Sequence, residues 1–344
     1  MDDEVKVSVI VCTRNRVSYL QQCFSSIAAQ KCSMPFEVVV IDNGSTDETQ
    51  TVIRQWCEKD PRFRSAREDR LGLSQAKNAG VQLARGRLLV FTDDDVIVET
   101  NWIETYCDFF SRKRDDLVVA GGLIVPIPHD LGDWPSWFVE PALADLALLD
   151  YQAERMLTKM EWVWGGNMAI PAYMFDQFGL WDVTVGRRGD ERGTFEDTEF
   201  QDRVRNAGGT VWFCPGAILH HRVDRQTITP RRVLSTAYAR GRNESLRKSL
   251  LTWGNIDAAP KQNLIKCLTN LAASFILWTL WTIAFRLVVS RNCFRRAHHT
   301  AWSCGRWLGN LDAGRGSTPS YQTIARVIFL MRGLVLRLAS DTPK

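Results

Sequence analysis

The sequence predicts an α/β fold: a mostly parallel, twisted sheet flanked by helices, followed by a basic, apolar helical region. Three observations carry this expectation. Short apolar runs end repeatedly in polar or acidic turns, as strands do where ligands gather at their carboxyl edge. Amphipathic helical patterns separate those runs, an alternation that gives right-handed crossovers and parallel pairing. Charge is also divided along the chain. Residues 1–220 carry 23 Lys and Arg against 34 Asp and Glu, whereas residues 221–344 carry 20 against 5.

The elements follow in order. Residues 5–12 form an apolar strand that ends in the polar turn Thr13-Arg14-Asn15-Arg16. Residues 19–30 have helical periodicity, with Leu20, Cys23, Phe24 and Ile27 on one face. A second buried strand over 36–41 runs into Asp42-Asn43-Gly44-Ser45-Thr46-Asp47, where Asp47 suits a helix N-cap, and residues 49–59 form the helix. A third helix over 72–84 precedes the run Leu88-Leu89-Val90-Phe91, which meets Thr92-Asp93-Asp94-Asp95. Three consecutive acids at a strand end repel one another unless a cation neutralises them. A hard divalent cation carrying phosphates is one solution, and a solvated acidic turn is the other.

Beyond Asn101 the pattern predicts a helix over 102–110, a strand over 117–125 and an irregular stretch over 126–161. A strand over 162–170 contains Gly165-Gly166-Asn167, where missing side chains permit close backbone approach to a ligand. A helix over 194–207 begins Phe195-Glu196-Asp197, and a short strand over 210–214 ends at Pro215. His220 and His221 follow one more apolar stretch and suit either ligation or packing. Trp134, Trp137, Trp162 and Trp164 suit stacking on a ligand or ordinary packing.

Nine cysteines without a C-x-x-C pair argue against zinc ribbons and for reduced, intracellular thiols, and the acidic start Met1-Asp2-Asp3-Glu4 does not read as a secretory signal. Residues 267–285 carry no charge, between Lys266 and Arg286. They fit a membrane span, an in-plane interfacial helix, or a buried core or dimer helix. Residues 327–338, interrupted by Arg332 and Arg337, read as an amphipathic surface helix facing anionic lipid. Arg240 and Arg242 would meet a lipid phosphate or solvent. Because the basic charges flank apolar helices, nucleic acid is not an expected partner.

Six segments, in order, are Val-Ile-Val-Cys-Thr-Arg-Asn-Arg (9–16), Val-Ile-Asp-Asn-Gly-Ser-Thr-Asp (40–47), Leu-Gly-Leu-Ser-Gln-Ala-Lys-Asn-Ala-Gly (71–80), Phe-Thr-Asp-Asp-Asp (91–95), Gly-Gly-Asn-Met-Ala (165–169) and Phe-Glu-Asp-Thr-Glu-Phe (195–200). Together they resemble the family 2 glycosyltransferases of the GT-A fold, over about residues 5–245. The resemblance implies inverting transfer of a sugar from a nucleoside-diphosphate sugar, a UDP-sugar being favoured, with Mg2+ or Mn2+ as cofactor. It places Thr13 and Arg14 near the base and diphosphate and Asp42 at the base edge. Lys77 and Asn78 approach the nucleotide, and Lys77 stands where many relatives have Arg. Asp93 would meet the ribose, with Asp94 beside it and Asp95 on the metal. A late histidine, His221 or His220, would add a metal or phosphate contact. Gly165, Gly166 and Asn167, with Trp164, would line the donor sugar and the acceptor. Asp197 is the expected base that takes the acceptor proton, with Glu196 supporting it.

The expected organisation is a catalytic domain over 1–245 and a membrane-associating region over 246–344. The expected function is glycan synthesis on a glycan or lipid-linked acceptor at the cytoplasmic face of the plasma membrane. The alternatives are a non-catalytic nucleotide-sugar-binding protein on the same scaffold and a sugar nucleotidyltransferase.

Overall fold

The computed structural model describes residues 5–113, 117–129, 146–184 and 196–225, with scattered residues between 132 and 143 and beyond 225. The chain divides into two compact units, one of Met1–Ile127 with Leu146–Val223, the other of Pro128–Asp145 with Asp224–Lys344. The expected boundary at 245/246 lies outside the described residues, as do both C-terminal apolar stretches, Arg240, Arg242 and Trp137. Among the described residues no helix is long and apolar enough to cross a membrane.

The first unit is a sheet with helices on both faces. Strands β1 (Val7–Thr13), β2 (Phe36–Asp42), β3 (Phe63–Arg67) and β4 (Leu88–Thr92) are joined by helices α1 (Val17–Ala28), α2 (Thr49–Lys59) and α3 (Leu73–Leu83). All pairings among these four strands are parallel. Their apolar runs are continuous because both faces are covered. Val7, Val9, Val11, Val38 and Val40 join one buried cluster, while Ile10, Val39 and Ile41 join the other. In α1, Leu20, Cys23, Phe24 and Ile27 are buried as their spacing predicts.

The remainder turns antiparallel, so the sheet is mixed. It contains β5 (Val96–Val98), β6 (Val118–Pro128), β7 (Arg155–Met156), β8 (Asn167–Pro171) and β9 (Thr210–Val223), with α4 (Trp102–Ser111), α5 (Tyr173–Phe178) and α6 (Glu196–Asn206). The strand order is β3-β2-β1-β4-β8-β6-β9-β5, and β7 pairs with β9 outside that path. Only Asp93, Asp94 and Asp95 separate central β4 from edge strand β5. A chain of that length reaches little more than about 10 Å. The antiparallel half therefore curls back until β5 and β9 stand beside the end of β4, which brings late residues to the triple acid.

Several elements differ from the sequence expectation. Strands β3, β5 and β7 and helix α5 had no clear pattern. The expected strand over 162–170 starts only at Asn167, leaving Gly165 and Gly166 in the preceding turn. The expected break at Pro215 is absent, and β9 runs for 14 residues. On either side of that proline β9 pairs with β7 at Trp212 and Phe213 and with β5 at Leu219–His221.

At the opposite end of the sheet from the acids, Gly86 lies against the first strand. A Cβ there would sit 2.5 Å from the Ser8 nitrogen and 2.6 Å from the Val7 carbonyl carbon. Both neighbours are backbone of a central strand. Gly86→Ala is therefore expected to lower unfolding free energy by roughly 1–3 kcal/mol in urea denaturation; an unchanged midpoint would contradict this packing.

Candidate active site

Register builds the site. Thr13 lies opposite Asp42, and Val11 opposite Thr92, so the ends of β1, β2 and β4 form one edge. Thr13 Oγ1 donates to Asp94 Oδ2 at 2.6 Å. Strand β5 pairs Val96 with His221, which puts that imidazole next to Asp95. Successive residues of a strand face opposite sides. Accordingly, His221 Nε2 lies 3.6 Å from Asp95 Oδ1, while His220 Nε2 pairs with Glu99 Oε1 at 2.7 Å, away from the acids.

A basic residue that sequence reasoning missed completes this half. Arg16 Nη2 donates to Asp95 Oδ2 at 3.2 Å, and its Nε lies 3.8 Å from Asp94 Oδ1. Its signal was the second arginine of the turn after β1. Burial raises the Asp94 carboxyl to about 7, helped by the Asp95 charge. Burial also works against ionised Asp95, but His221 and Arg16 outweigh it and hold that carboxyl below the usual range. Burial would lower His221, yet Asp95 raises it to about 9. Asp93 is raised by desolvation and by Asp95, both softened because the residue opens to solvent.

The other half comes from α6 and the turn before β8. Asp197 Oδ2 accepts from Gly165 N at 2.9 Å, and Oδ1 accepts from Lys77 Nζ at 2.5 Å. The two glycines have a steric cause. A Cβ on Gly165 would collide with the Asp197 carboxylate, and one on Gly166 with the Asp93 carboxylate. Together these groups line a cleft of about 160 Å3, bounded by Lys77, Asp93, Trp164, Gly165, Glu196, Asp197 and His221 among others. Glu196 is buried, and desolvation with the adjacent Asp197 charge pushes its carboxyl to about 7. Its Oε2 and the Trp164 Nε1 are buried without a hydrogen-bond partner among the described residues. Such orphaned polar atoms lining a cleft suit the hydroxyl groups of a ligand.

The cleft thus gathers Lys77, Asp93, Trp164, Gly165, Gly166, Glu196, Asp197 and His221, with Asp94, Asp95 and Thr13 directly beside them. Other expected site residues lie elsewhere. Asn167 is a buried brace: Oδ1 accepts from Trp102 Nε1 and Tyr106 Oη at 2.8 Å, and Nδ2 donates to the Leu123 and Ala217 carbonyls. Asn78 makes two 2.9 Å hydrogen bonds with the Trp181 backbone. Asp42 accepts from Ser45 N, Gln50 Nε2 and Arg67 Nη1. Arg14 is exposed. Trp162 packs edge-on against Trp164, and Trp134 stacks on Phe138 within the second unit.

The donor set suits a divalent cation. His221 Nδ1 faces the Leu146 carbonyl oxygen at 2.9 Å, so it can keep its proton there while a cation takes the place of the Nε2 proton beside Asp95. Among the described residues no three acidic, histidine or cysteine side chains converge to hold an ion unaided. Asp95 and His221 would therefore share the ion with ligand oxygens.

A half-parallel, half-antiparallel sheet with acids crowded at its inner edge is the arrangement of a GT-A fold. Residues 8–167 match the family model described as glycosyl transferase family 2. It is 27% identical over 193 residues to the glucosyl-dolichyl phosphate glucuronosyltransferase of Haloferax volcanii, covering 54% of this chain and 59% of that protein. It is 29% identical over 199 residues to the validoxylamine A glucosyltransferase of Streptomyces hygroscopicus subsp. jinggangensis, covering 51% and 47%. The chain thus spans about half the length of these curated relatives. A mannosyltransferase from Pyrobaculum calidifontis, solved with GDP-Man and Mn2+, shares the fold with TM-score 0.51 at 17% identity, over 94% of this chain and 80% of that one.

The raised Glu196 carboxyl makes stability depend on pH. Its folded value, about 7, exceeds the ordinary value of 4.5, so its contribution is complete below about 4.5 and is lost as pH rises through about 7. Glu196→Gln stays neutral throughout. The variant is expected to gain on wild type between about pH 5 and about pH 8, by up to about 3 kcal/mol in urea denaturation. A difference independent of pH would contradict the burial of this carboxyl.

Proposed function

We propose that the chain catalyses inverting transfer of a sugar from a nucleoside-diphosphate sugar, with a divalent cation held by Asp95 and His221. The observation that carries the reading is the cleft itself. Five carboxyl groups (Asp93, Asp94, Asp95, Glu196 and Asp197) face three basic side chains (Arg16, Lys77 and His221) around two orphaned polar atoms. The excess negative charge suits one divalent cation, and the orphans suit sugar hydroxyls. The cation, Mg2+ or Mn2+, supplies charge stabilisation for the departing diphosphate. The nucleotide-sugar and Mn2+ in the Pyrobaculum calidifontis mannosyltransferase support this reading.

The chain's own residues then divide the work. Thr13 fixes Asp94 by donating to it. Asp93 meets the ribose at the mouth of the cleft. Asp197, held by Gly165 N, takes the proton from the acceptor hydroxyl as that oxygen attacks the anomeric carbon. Glu196, neutral in much of the pH range, donates a hydrogen bond to a sugar hydroxyl together with Trp164 Nε1. The acceptor is a glycan or a lipid-linked sugar in surface polysaccharide synthesis. The basic region beyond residue 220 holds the enzyme at the anionic cytoplasmic membrane face where such an acceptor resides.

Two variants test the assignment. Asp197→Asn is expected to slow transfer by about 10²–10⁴-fold while UDP or GDP still binds; transfer at the wild-type rate would remove Asp197 as the base. Asp95→Ala is expected to abolish the Mn2+ dependence of UDP binding in calorimetry. Unchanged Mn2+-dependent binding would place the cation elsewhere.

A further inference from the structure

We infer that Lys77 is a positioning residue for Asp197 and not a ligand of the donor's phosphates. The inference rests on the reading of Asp197 as the base. Lys77 projects from α3, its side chain is only 4% exposed, and its Nζ meets Asp197 Oδ1 at 2.5 Å. Gly165 N holds the other oxygen. The carboxylate is therefore fixed at both oxygens by donors from two separate elements. Each oxygen keeps a lone pair for the acceptor's hydroxyl proton.

The ammonium group is itself held in place. The Trp181 ring caps it with a centroid 4.9 Å from Nζ. That ring packs against Phe91 and Phe200, and its backbone is clasped on both sides by Asn78, the residue next to Lys77. One short stretch of α3 thus supplies both the cation and the clasp for its aromatic cap. This gives Asn78 a role that does not involve the nucleotide.

Charge argues in the same direction. Among the described residues the charged groups facing Asp197 are Lys77 from α3, Glu196 on α6 itself and Asp93 from the turn between β4 and β5. Two of the three are acids, and Lys77 is the only cation among them. Moving its ammonium to a phosphate would leave the Asp197 carboxylate beside two acids and without its 2.5 Å partner. The opposite half of the cleft has its own cation, Arg16, towards the side where Asp95 would meet the diphosphate. A lysine also suits this single-point contact, where a guanidinium would favour a two-point anion.

The test needs no knowledge of the sugar. The Asp197 carboxyl carbon is followed by 13C NMR in aspartate-labelled protein, assigned by its loss in Asp197→Asn. UDP affinity with Mn2+ is measured by calorimetry in parallel. In Lys77→Met the signal is expected to move from its wild-type position as the carboxylate loses its fixed partner, and in Lys77→Arg to return. UDP affinity should stay within about threefold of wild type, under about 1 kcal/mol. Lys77→Gln makes the same prediction should the Met variant fail to fold. A signal unmoved in Lys77→Met and Lys77→Gln, with UDP affinity reduced tenfold or more, overturns the inference and makes Lys77 a donor ligand. Failure of the base reading is separable: it appears as transfer surviving in Asp197→Asn, whatever the carboxyl signal shows.

Discussion

The structure depends on how five carboxyl groups are held together at one sheet edge. Ionised carboxyls within a few ångströms repel strongly when solvent is scarce. The protein answers in two ways. Arg16 and His221 face Asp95, while Lys77 faces Asp197. Burial also raises Asp94 and Glu196 to about 7, so part of the charge is removed by protonation. What is left is a cleft with an appetite for positive charge and for hydroxyl groups.

The fold is arranged to bring that edge together from distant parts of the chain. The parallel half delivers Thr13, Asp42 and the triple acid to one side by strand register alone. The antiparallel half must curl to return β5 beside β4, and this brings His221 to Asp95. Asn167 pins the curl by joining α4, β6, β8 and β9 through one buried amide. Gly165 and Gly166, immediately before it, let Asp197 and Asp93 close on the same turn from two directions.

Much of this was legible in the sequence because both faces of the central strands are covered, leaving unbroken apolar runs at β1, β2 and β4. Helix α2 has the expected limits, Thr49–Lys59, because a polar turn and a short apolar face mark both. Edge strand β3, Phe-Arg-Ser-Ala-Arg, was not legible because solvent-facing arginines dilute its pattern. Strand β9 was not legible as one element because a proline usually ends a strand, and its pairing with β7 before Pro215 and with β5 after it is a tertiary fact. In the site, the order of motifs drew attention to Asp93–Asp95 and to Glu196-Asp197. It could not show that Asn167 faces inward, that Arg16 reaches the acids, or that Lys77 points at Asp197. Those depend on which side chains the folded sheet brings within reach.

The central claim is that the acid-rich edge is completed by a cation shared between protein and diphosphate. Anomalous diffraction from crystals grown with UDP and Mn2+ tests it most directly. The account predicts one manganese peak within about 2–2.6 Å of both Asp95 and His221 Nε2 and of the diphosphate oxygens, with Arg16 moved off Asp95. Nucleotide bound in the cleft with no manganese on Asp95, or with manganese ligated elsewhere, would contradict it.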